Sequence, residues 1–354
     1  MNDLVSLRSA IEAELTNFVA AENEKLVEVD SELKPVATAL GQYILEGGKR
    51  IRPIFALIGF IGAGGKIDKN IIKATASLEL LQACALIHDD LIDGSDNRRG
   101  RPSIHKAFEK YNLDKNGAGN SANFGSAAAI LLGDLALVWS DKCIHDSGIS
   151  AAAQLAVNPI HDAMRIEIMA GQYLDVLEQT MSNTSVERAL KIARFKSGKY
   201  TIERPLHFGA ALATPKNLSE ILNIYSDYGL PLGEAFQMRD DLLGVFGDPE
   251  ETGKPAGDDL REGKRTALIA YSYDRSSDAG KKLLNTLLGK PDLTGSEIES
   301  LRTLITDCGA KIHVEDLIEK LAETALDAIE REEITDLAKK LLNEMVSIAT
   351  KRSK

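Results

Sequence analysis

The sequence predicts an all-α protein. Apolar residues recur at spacings of three and four along most of the 354-residue chain, which is the pattern of amphipathic helices. A sustained alternation of apolar and polar residues, as in a half-buried strand, does not occur. Several predicted helices are apolar on nearly every side, as the central helices of a large bundle are. We therefore predict one domain over residues 1–354, folded as a single large helical bundle.

Polar loops rich in glycine and basic residues separate the predicted helices. In chain order the helical segments are LVSLRSAIEAELTNFVAAEN, ELKPVATALGQYILEG, NIIKATASLELLQACALIHDDLID, SAAAILLGDLALVWSDKCI, AMRIEIMAGQYLDVLEQ, VERALKIARF, LSEILNIYSDYGLPLGEAFQMRDDLLGVF, EIESLRTLITDCG, IHVEDLIEKLAETALDAIE and EITDLAKKLLNEMVSIAT. The predicted loops are EGGKRIRP, GSDNRRGRPSIH, NGAGNSANFG and GDPEETGKPAGDDLREGKRT. Because binding residues concentrate on loops, these four segments are the first candidates for a site.

Composition and charge exclude several classes of protein. The net charge of −11 argues against a nucleic-acid-binding protein. The three cysteines show neither metal-ligand spacing nor a disulfide framework, which predicts a reducing, cytoplasmic location. The N-terminal residues lack the basic and apolar regions of a signal peptide. The longest apolar stretch, IFALIGFIGAGG, is too short to span a bilayer, so no stable membrane insertion is expected.

An acidic cluster ends one of the most apolar predicted helices. In HDDLIDGSDNRRG, Asp89 and Asp93 are four residues apart, so they share a helix face at about 6 Å from each other, with Asp90 beside them. Two carboxylates at that distance repel by about 3 kcal/mol, and the C-terminal end of a helix disfavours anions further. A bound Mg²⁺ would remove this repulsion, because it takes oxygen ligands. The alternative is a solvated acidic helix end without a ligand.

The acidic pattern recurs, and basic residues follow it both times. Asp240 and Asp241 stand in FQMRDDLLGVFGD, near the end of a second apolar helix, and the basic loop GGKRIRP precedes both clusters. Carboxylates for metal ions, together with separate basic loops, suit a site for two polyphosphates, one bridged by Mg²⁺ and one held by lysine and arginine. By itself GGKRIRP could be a flexible basic loop. TGKPAG lacks the pattern of a nucleotide-binding P-loop.

At these motifs the sequence resembles a known family, the trans-isoprenyl diphosphate synthases or polyprenyl synthetases. The likeness runs from about Gly41 to the C-terminal helices. GGKRIRP resembles the family's isopentenyl diphosphate motif, and DDLIDGSDNRRG resembles its first aspartate-rich motif. GQYLD resembles the family's G-Q-x-x-D segment, and FQMRDD resembles its second aspartate-rich motif. GKPAGDDLREGKRT resembles its lysine loop. The resemblance implies the isoprenoid synthase fold, an all-α bundle around a central apolar cavity.

The resemblance also implies roles for individual residues. The catalytic set would comprise Asp89, Asp90, Asp93, Asp240, Asp241 and Lys196. The Mg²⁺ ions, about three per active site, would be held by Asp89, Asp93 and Asp240. The isopentenyl diphosphate would be bound by Gly48, Lys49, Arg52, Gln82 and Arg99. The allylic diphosphate would be contacted by Arg98, Lys196, Ser197, Gln237, Lys254 and Lys264.

Two positions depart from the family pattern. Gly244 replaces the third aspartate of the second motif, so that helix face lacks a carboxylate, and the nearest later one is Asp248. Position 82 is Gln where many long-chain members have His. An amide still donates a hydrogen bond to phosphate, but it carries no charge.

The implied reaction is a condensation of two diphosphates in a homodimeric enzyme. Mg²⁺ would neutralise charge on the departing diphosphate, and an apolar pocket would shield the allylic carbocation from water. The double bond of isopentenyl diphosphate would attack that cation before a proton is lost. The released diphosphate would take the proton, so His88 is predicted to be a packed residue and not a base.

The length of the product is predicted from the helix before the first motif. One helical turn rises about 5.4 Å, close to one extended isoprene unit. Cys84 and Ala85 lie about one turn before Asp89, where in this family a bulky aromatic residue stops growth near fifteen carbons. Both residues are small here, so the pocket floor would lie at Leu81 or Leu78, unless these are ordinary core leucines. We expect a twenty-carbon product, geranylgeranyl diphosphate.

Other functions remain open at this stage. A farnesyl or longer-chain polyprenyl diphosphate synthase would use the same motifs with a different pocket depth. A terpene cyclase ionises a single allylic diphosphate and needs no second basic site, whereas GGKRIRP and the RRG of the first motif are intact. A non-catalytic regulatory subunit usually loses the first motif, which is complete here.

Overall fold

The computed structural model describes residues 2–181, 185–248, 257–290, 292–331 and 333–351. Within these ranges nearly all regular structure is helical, and the predicted all-α class is confirmed. The helices are α1 (Leu4–Val29), α2 (Lys34–Leu45), α3 (Ile51–Gly62), α4 (Lys69–Ile92), α5 (Ile104–Asp114), α6 (Ser121–His145), α7 (Ala151–Gln179), α8 (Val186–Ala193), α9 (Arg204–Ala213), α10 (Leu218–Phe246), α11 (Asp258–Glu262), α12 (Ala267–Arg275), α13 (Asp278–Leu287), α14 (Gly295–Asp307), α15 (Ala310–Ala328) and α16 (Asp336–Thr350). A short 3₁₀ helix, Ser31–Leu33, precedes α2.

Polar side chains begin many of these helices by accepting hydrogen bonds from the first backbone N–H groups. The Asp68 carboxylate accepts from the N–H groups of Asn70 and Ile71, at 2.9 and 3.0 Å, and so starts α4. Thr294 and Glu297 form a reciprocal capping box at α14. Single side-chain caps also start other helices, at Asp3, Asn120, Ser185, Thr266, Ser277 and Thr335.

Some elements differ from the sequence prediction. NGAGNSANFG is predicted to be a loop, but α6 begins inside it at Ser121, because the Asn120 side chain caps the helix by accepting from the N–H of Asn123 at 3.0 Å. Helix α11 likewise lies inside the predicted lysine loop. Five further helices lie outside the predicted helical segments: α3, α5, α9, α12 and α13.

Two very short strands form a hairpin directly after the first acidic cluster. The strands β1 (Asn97–Arg98) and β2 (Arg101–Pro102) pair antiparallel, with Arg98 opposite Arg101. The turn residues Arg99 and Gly100 both have positive φ angles, of 54° and 73°, as in the type I′ turn that matches the twist of a two-residue hairpin. Strands of two residues are too short for alternation to reveal them in the sequence.

The chain divides into two compact units. The first comprises Met1–Leu57 and Gly65–Gln154, and the second comprises Ile58–Gly64 and Leu155–Lys354. The single domain over residues 1–354 therefore stays a prediction, and each unit is described by itself.

The first unit is packed from helices α1, α2, α4, α5 and α6. Helix α1 buries one stripe completely, at Leu7, Ile11 and Leu15. The Phe18 ring, on the next turn of that stripe, meets the Trp139 ring of α6 edge-on at 6.2 Å. The spacing of these positions is that of an amphipathic helix, so the sequence pattern predicts this face correctly.

The second unit is built around α10, which packs against α9, α15 and α16. Tyr225 and Tyr228 of α10 are fully buried. Their hydroxyls donate to the carbonyl oxygens of Gly59 and Leu342, at 3.2 and 2.8 Å. These bonds avoid the cost of about 1–3 kcal/mol for an unpaired buried polar group. They hold the first half of α10 in place, on the helix whose later turns carry FQMRDD.

A ten-residue π-helix, Arg194–Glu203, joins α8 to α9. The predicted helical segment VERALKIARF ends at Phe195, so the sequence prediction covers only the first two residues of the π-helix. π-helical turns are rare and occur frequently at functional sites. The Lys196–Ser197 pair, predicted to contact the allylic diphosphate, lies in this segment.

Two helices, α4 and α6, are long and apolar enough to cross a membrane by length and composition alone. A buried core helix passes the same test, and 67% of the tested window of α4 is buried in the structure. Only 28% of the corresponding window of α6 is buried. Helix α6 therefore presents apolar side chains outward, among them Phe124, Ile130, Leu131 and Val138.

A buried histidine network ties α9 to α10. The Nε2 atom of His207 lies 2.9 Å from the carbonyl oxygen of Leu222, and an Nη1 atom of Arg204 lies 3.3 Å from its Nδ1. These contacts fit the neutral tautomer, in which Nε2 donates and Nδ1 accepts. The pKa of His207 is lowered from 6.5 to about 4, chiefly by burial. The charge of Glu203 opposes this shift, and the charge of Arg204 adds to it.

We expect this histidine to make the protein less stable in mild acid. The unfolded chain takes up the proton near pH 6.5, whereas the folded protein resists it down to about pH 4. The stability is therefore complete above pH 6.5 and falls with pH, by up to about 3 kcal/mol at pH 4. Urea unfolding at pH 7 and pH 5 measures the change. In His207→Gln the difference between the two pH values should shrink, and an unchanged difference would contradict the assignment.

Candidate active site

In the first unit, the first acidic motif sits where α4 ends. Asp89 is partly exposed, and Asp93 is the residue that caps the end of the helix. Asp90 is completely buried. Its carboxylate accepts hydrogen bonds from Arg98 Nε at 2.7 Å and from the Tyr43 hydroxyl at 3.0 Å. Both oxygens of the buried Asp90 are thus bonded to protein groups, whereas Asp89 and Asp93 are partly exposed at the helix end, where Asp89 also pairs with Arg98.

Arg98, which is predicted to contact the allylic diphosphate, is bonded to the aspartates of the first motif. Its Nη2 atom lies 3.4 Å from Asp89 Oδ2, and the same atom also pairs with Asp90. Burial lowers the pKa of Arg98, but the charge and hydrogen bond of Asp90 outweigh burial and raise it overall. Burial is also the main reason that the pKa of Asp90 is raised. The pair fixes a permanently charged guanidinium beside Asp89.

The GGKRIRP loop lies against the RRG turn. Gly47 and Gly48 both have left-handed φ angles, of 78° and 86°. A Cβ on Gly47 would lie 2.9 Å from Cδ of Arg99, so the absence of side chains lets Arg99 approach the loop. Arg99 Nη1 donates to the carbonyl oxygen of Glu46 at 3.1 Å. The structure thus brings together Gly48 and Arg99, two of the residues predicted to bind isopentenyl diphosphate.

The other residues predicted for that diphosphate lie on α3 and α4 and in the loop before α3. Arg52 is in the first turn of α3, and Lys49 precedes the helix. Gln82 lies on α4, and its amide oxygen is buried without a hydrogen-bond partner among the described residues. Gln82 therefore has hydrogen-bonding capacity that the described part of the chain does not use.

The predicted chain-length residues lie on α4 within the first unit. Leu81 and Cys84 are almost completely buried, and Ala85 is half-buried. The Cys84 thiol lies 3.8 Å from Nδ1 of His88. The other ring nitrogen of His88 lies 3.2 Å from the carbonyl oxygen of Ile130, which agrees with the prediction of a packed histidine.

In the second unit, paired aspartates lie near the end of α10. Asp241 is 3% exposed, and Gln237 Nε2 donates to its Oδ1 at 2.8 Å. Burial raises the pKa of Asp241 to about 8, and the hydrogen bond from Gln237 opposes this shift. Three further carboxylates add to the rise in pKa: Asp259, Asp240 and Asp175. The structure therefore concentrates negative charge at this end of α10.

Lys196 is held beside that acidic group. Its Nζ donates to Asp175 Oδ2 at 2.6 Å. Asp175 ends GQYLD, whose Gly171 lies against the π-helix: a Cβ on Gly171 would be only 2.5 Å from the Lys196 backbone nitrogen. The sequence motif GQYLD thus has two structural tasks, a close backbone approach and an ion pair. Asp175 and Asp259 are site residues that the sequence analysis did not select, although both stand in quoted motifs.

Replacing Gly171 by alanine should disturb Lys196 and destabilise the protein. The added methyl group would press on the backbone of Lys196 and Phe195, which cannot move as a flexible side chain can. We expect a loss of about 1–3 kcal/mol in the free energy of unfolding. Gly295→Ala is the matched control, because nothing lies within 4 Å of its Cβ position. Equal stability of the two variants in urea unfolding would contradict the close approach.

The absence of a side chain at position 244 is explained by the carboxylate of Asp259, which lies on α11. A Cβ at position 244 would lie 1.8 Å from Oδ2 and 2.4 Å from Cγ of Asp259. The Asp259 side chain therefore occupies the space of the aspartate that the second motif lacks. Asp248, considered from the sequence as a substitute, is exposed and lies beyond the end of α10.

The lysine loop is described from Gly257 onward, and Lys254 lies outside the described residues. Lys264 Nζ lies 2.5 Å from Glu262 Oε2 and 3.7 Å from Asp259 Oδ1. The structure thus places one predicted lysine next to the acidic end of α10. Ser197 is half-buried in the π-helix next to Lys196.

The donor atoms suit magnesium, although the described part of the chain holds no preformed cluster of metal ligands. Among the described residues, no group of three or more His, Cys, Asp or Glu side chains stands close enough to hold an ion. The available donors are carboxylate oxygens, which are the ligands that Mg²⁺ prefers. Burial and the neighbouring carboxylates raise the pKa of Asp241, so negative charge is concentrated at this end of α10. The residues present therefore fit a hard divalent cation.

A separate cleft of about 510 Å³ lies on the second unit. It shares no residue with the predicted site. Its lining comprises Arg194, Ser226, Asp227, Leu230, Pro231, Glu234, Leu321, Thr324, Asp327, Ala328 and Arg331.

Together these features define a class of protein: an all-α chain with carboxylates at the ends of apolar helices and with guanidinium and ammonium groups fixed beside them. Comparison with known proteins agrees. The model of the polyprenyl synthetase family matches residues 34–305. A geranylfarnesyl diphosphate synthase from Aeropyrum pernix is 33% identical over 316 residues, which is 88% of this chain and 92% of that protein. A (2E,6E)-farnesyl diphosphate synthase from Mycobacterium bovis is 30% identical, over 82% of this chain and 78% of that protein.

A solved structure gives the same result at the level of the fold. The geranylgeranyl pyrophosphate synthase from Corynebacterium glutamicum, determined with isoprenyl diphosphate and magnesium, superposes with a TM-score of 0.94 at 39% identity and covers 99% of both chains. The chain belongs to the polyprenyl synthetase family. It has the all-α isoprenoid synthase fold, and it is an enzyme of the trans-prenyltransferase class.

Proposed function

We propose that this enzyme condenses isopentenyl diphosphate with dimethylallyl, geranyl or farnesyl diphosphate in a Mg²⁺-dependent reaction that yields geranylgeranyl diphosphate. The observation that carries the proposal is the presence of two distinct kinds of diphosphate-binding group. Arg99 and Gly48 stand together at a basic loop in the first unit. Lys196 and Lys264 stand beside carboxylates in the second unit.

In the first unit, the basic loop would bind the diphosphate of isopentenyl diphosphate. The Arg99 guanidinium lies close to the Gly47–Gly48 backbone, and a guanidinium can bind a phosphate through two parallel hydrogen bonds. Lys49, Arg52 and Gln82 would add further donors. This binding would fix the double bond of isopentenyl diphosphate in place for attack.

The residues proposed to hold Mg²⁺ are Asp89 and Asp93 on α4, and Asp240 on α10. When bound, the metal would supply Lewis-acid stabilisation of the charge that develops on the leaving diphosphate. Arg98, Lys196, Ser197, Gln237 and the lysines of the 254–264 loop would hold the same diphosphate and donate to its oxygens. Asp90 and Asp241 would act by fixing Arg98 and Gln237, because both are buried and bonded to these side chains.

The twenty-carbon product rests on pocket depth. Cys84 and Ala85 are both small, so neither blocks a chain that extends along α4 past the first turn. The named relatives include synthases whose products have fifteen or twenty-five carbons, so the length of the product has to be measured directly. Mass analysis of products from purified protein, labelled isopentenyl diphosphate and each allylic primer provides the test. A product of fifteen or of twenty-five carbons would replace our assignment.

The same assay separates the rival functions. A terpene cyclase would consume an allylic diphosphate without incorporating isopentenyl diphosphate. A regulatory subunit would incorporate no label with Mg²⁺ present and the protein folded. Omission of Mg²⁺, or its removal with a chelator, should abolish incorporation by the enzyme that we propose.

The assembly that we propose is a homodimer without stable membrane insertion, located in the cytoplasm. The apolar side chains of α6 are exposed in the single chain, and a second copy of the chain would bury them in a dimer interface. Light scattering after size exclusion should give twice the mass of the chain without detergent. A monomer, or recovery of the protein in the membrane fraction of cells, would contradict this part of the proposal.

A further inference from the structure

Glu79 is a buried carboxylate that no motif of the sequence includes. It lies on α4 one turn before Gln82 and is only 5% exposed. Its Oε1 accepts a hydrogen bond from Arg50 Nη1 at 2.8 Å. Arg50 is itself only 2% exposed. The ion pair is required at this depth, because burying either charge without a partner would cost several kcal/mol of folding free energy.

Arg50 anchors the GGKRIRP loop from within. Its backbone has a left-handed φ of 54°, which is unusual for a residue with a side chain. Its Nη2 donates to the carbonyl oxygen of Leu45, at the end of α2, at 2.9 Å. Its own carbonyl accepts from the N–H of Ile54 in α3 at 3.1 Å. Arg50 therefore joins the end of α2, the start of α3 and, through Glu79, the middle of α4.

The same carboxylate also stands next to the RRG turn. A Cβ built on Gly48 would lie 3.3 Å from Glu79 Oε1, 3.3 Å from Arg50 Nη1 and 3.1 Å from Arg99 Nη2. The space that a side chain would take at Gly48 is thus bordered by one carboxylate and two guanidinium groups. Burial lowers the pKa of Arg99, and the charge of Glu79 is the largest influence that opposes this.

We propose that Glu79 is the positioning residue of the isopentenyl diphosphate site: it holds the guanidinium groups of Arg50 and Arg99 around Gly48, and so sets the spacing between the GGKRIRP loop and the RRG turn. The inference rests on the function proposed above. Glu79 does not touch substrate. It keeps two cationic elements together that would repel each other without a shared carboxylate.

A purely electrostatic role predicts the opposite sign. If Glu79 acted only through its negative charge, removal of that charge would make the electrostatic potential of the site more positive. A diphosphate would then bind more tightly. If it positions the loop, removal weakens binding because the donors are no longer pre-arranged. Glu79→Gln keeps the size and one hydrogen-bond acceptor and removes the charge, so the sign of its effect separates the two roles.

The experiment measures binding of isopentenyl diphosphate alone by calorimetry, without an allylic primer, so that no turnover occurs. We expect Glu79→Gln to raise the Kd about tenfold, as loss of a supporting partner of a ligand typically does. In turnover assays the KM for isopentenyl diphosphate should rise by a similar factor, with kcat and the KM for the allylic diphosphate within about twofold of wild type. An equal or lower Kd would overturn the proposal.

A charge-matched control is available on α1. Glu12 Oε1 lies 4.0 Å from Arg50 Nε and is 42% exposed. Glu12→Gln removes the same charge near the same guanidinium, but it breaks no buried bond to Arg50. Its Kd should rise much less than that of Glu79→Gln, because Glu12 reaches the loop only through the exposed Arg8, which donates to the Gly48 carbonyl oxygen at 3.4 Å. A rise as large as that in Glu79→Gln would overturn the positioning role.

A double variant covers the case in which Glu79→Gln does not fold. Glu79→Leu combined with Arg50→Met removes both buried charges, and such replacements are often neutral for stability. The proposal expects a stable protein with a raised Kd for isopentenyl diphosphate, because Arg99 and the loop have lost their common partner. Wild-type affinity for isopentenyl diphosphate in the folded double variant would overturn the positioning role. Failure of the wild-type protein to bind isopentenyl diphosphate at all would instead refute the proposed function.

Discussion

Replacing Asp240 by alanine is expected to lower the turnover number by about three orders of magnitude, since metal-assisted stabilisation of a leaving group supplies several kcal/mol and each 1.36 kcal/mol is a factor of ten. Asp240 stands at the acidic end of α10, beside the buried Asp241. Asp89→Ala, at the end of α4, should have an effect of the same size. The measurement is the steady-state incorporation of labelled isopentenyl diphosphate over a range of Mg²⁺ concentrations.

The matched control for this pair lies on the same helix. Asp227 is half-exposed, and its carboxylate pairs with Arg331 at the surface. Asp227→Ala removes one carboxylate from α10 without touching its acidic end, so turnover should stay within about twofold of wild type, as expected of a surface ion pair. Wild-type turnover in both Asp240→Ala and Asp89→Ala would mean that the metal-binding residues are assigned wrongly.

Replacing Ala85 by phenylalanine is expected to shift the main product from twenty carbons to fifteen. Ala85 lies four residues before Asp89 on α4, one turn or about 5.4 Å along the helix, close to the length of one isoprene unit. An aromatic ring there would block a tail that the small alanine side chain lets pass. Chromatography of the dephosphorylated products, with geranyl diphosphate as primer, gives the readout, because one condensation then yields fifteen carbons and two yield twenty.

The structure also decides which of two neighbouring substitutions is the cleaner test. Cys84 is 3% exposed with its thiol against His88, so Cys84→Phe would overpack the core at a cost of about 1–3 kcal/mol. Ala85 is half-buried and has more room. Ala85→Ser serves as the control, because it preserves the small volume and should preserve the product. An unchanged product in Ala85→Phe would remove α4 as the element that limits chain length.

Much of the site can be predicted from local sequence. Asp89 and Asp93 end α4 as their spacing and the preceding apolar run indicate. The motif around Asp240 lies near the end of α10, as predicted. Helix periodicity and short motifs carry this information because they depend on neighbours within one or two turns.

Other parts of the site depend on contacts that are distant in the sequence. Glu79 looks like one more residue in an apolar helix until Arg50, 29 positions earlier, is seen to bond to it. Gly244 looks like a lost ligand until Asp259 is found in its place. The π-helix around Lys196 likewise packs closely on α7 and α10 through glycines at 171, 198 and 233. None of these pairs has a fixed spacing that a motif could record.

The sequence by itself determined the all-α class, the family and the residue types available for binding diphosphates, because helical periodicity and short motifs are local properties. The tertiary structure alone decided which carboxylates are enclosed by the protein and which are partly exposed. Asp90 is buried and bonded to Arg98, and Glu79 is buried and bonded to the buried Arg50, whereas Asp89 and Asp93 are partly exposed at the end of α4. The physical reason is burial: a charge removed from water takes whichever partner packing brings within hydrogen-bond reach, and packing is set by the whole chain.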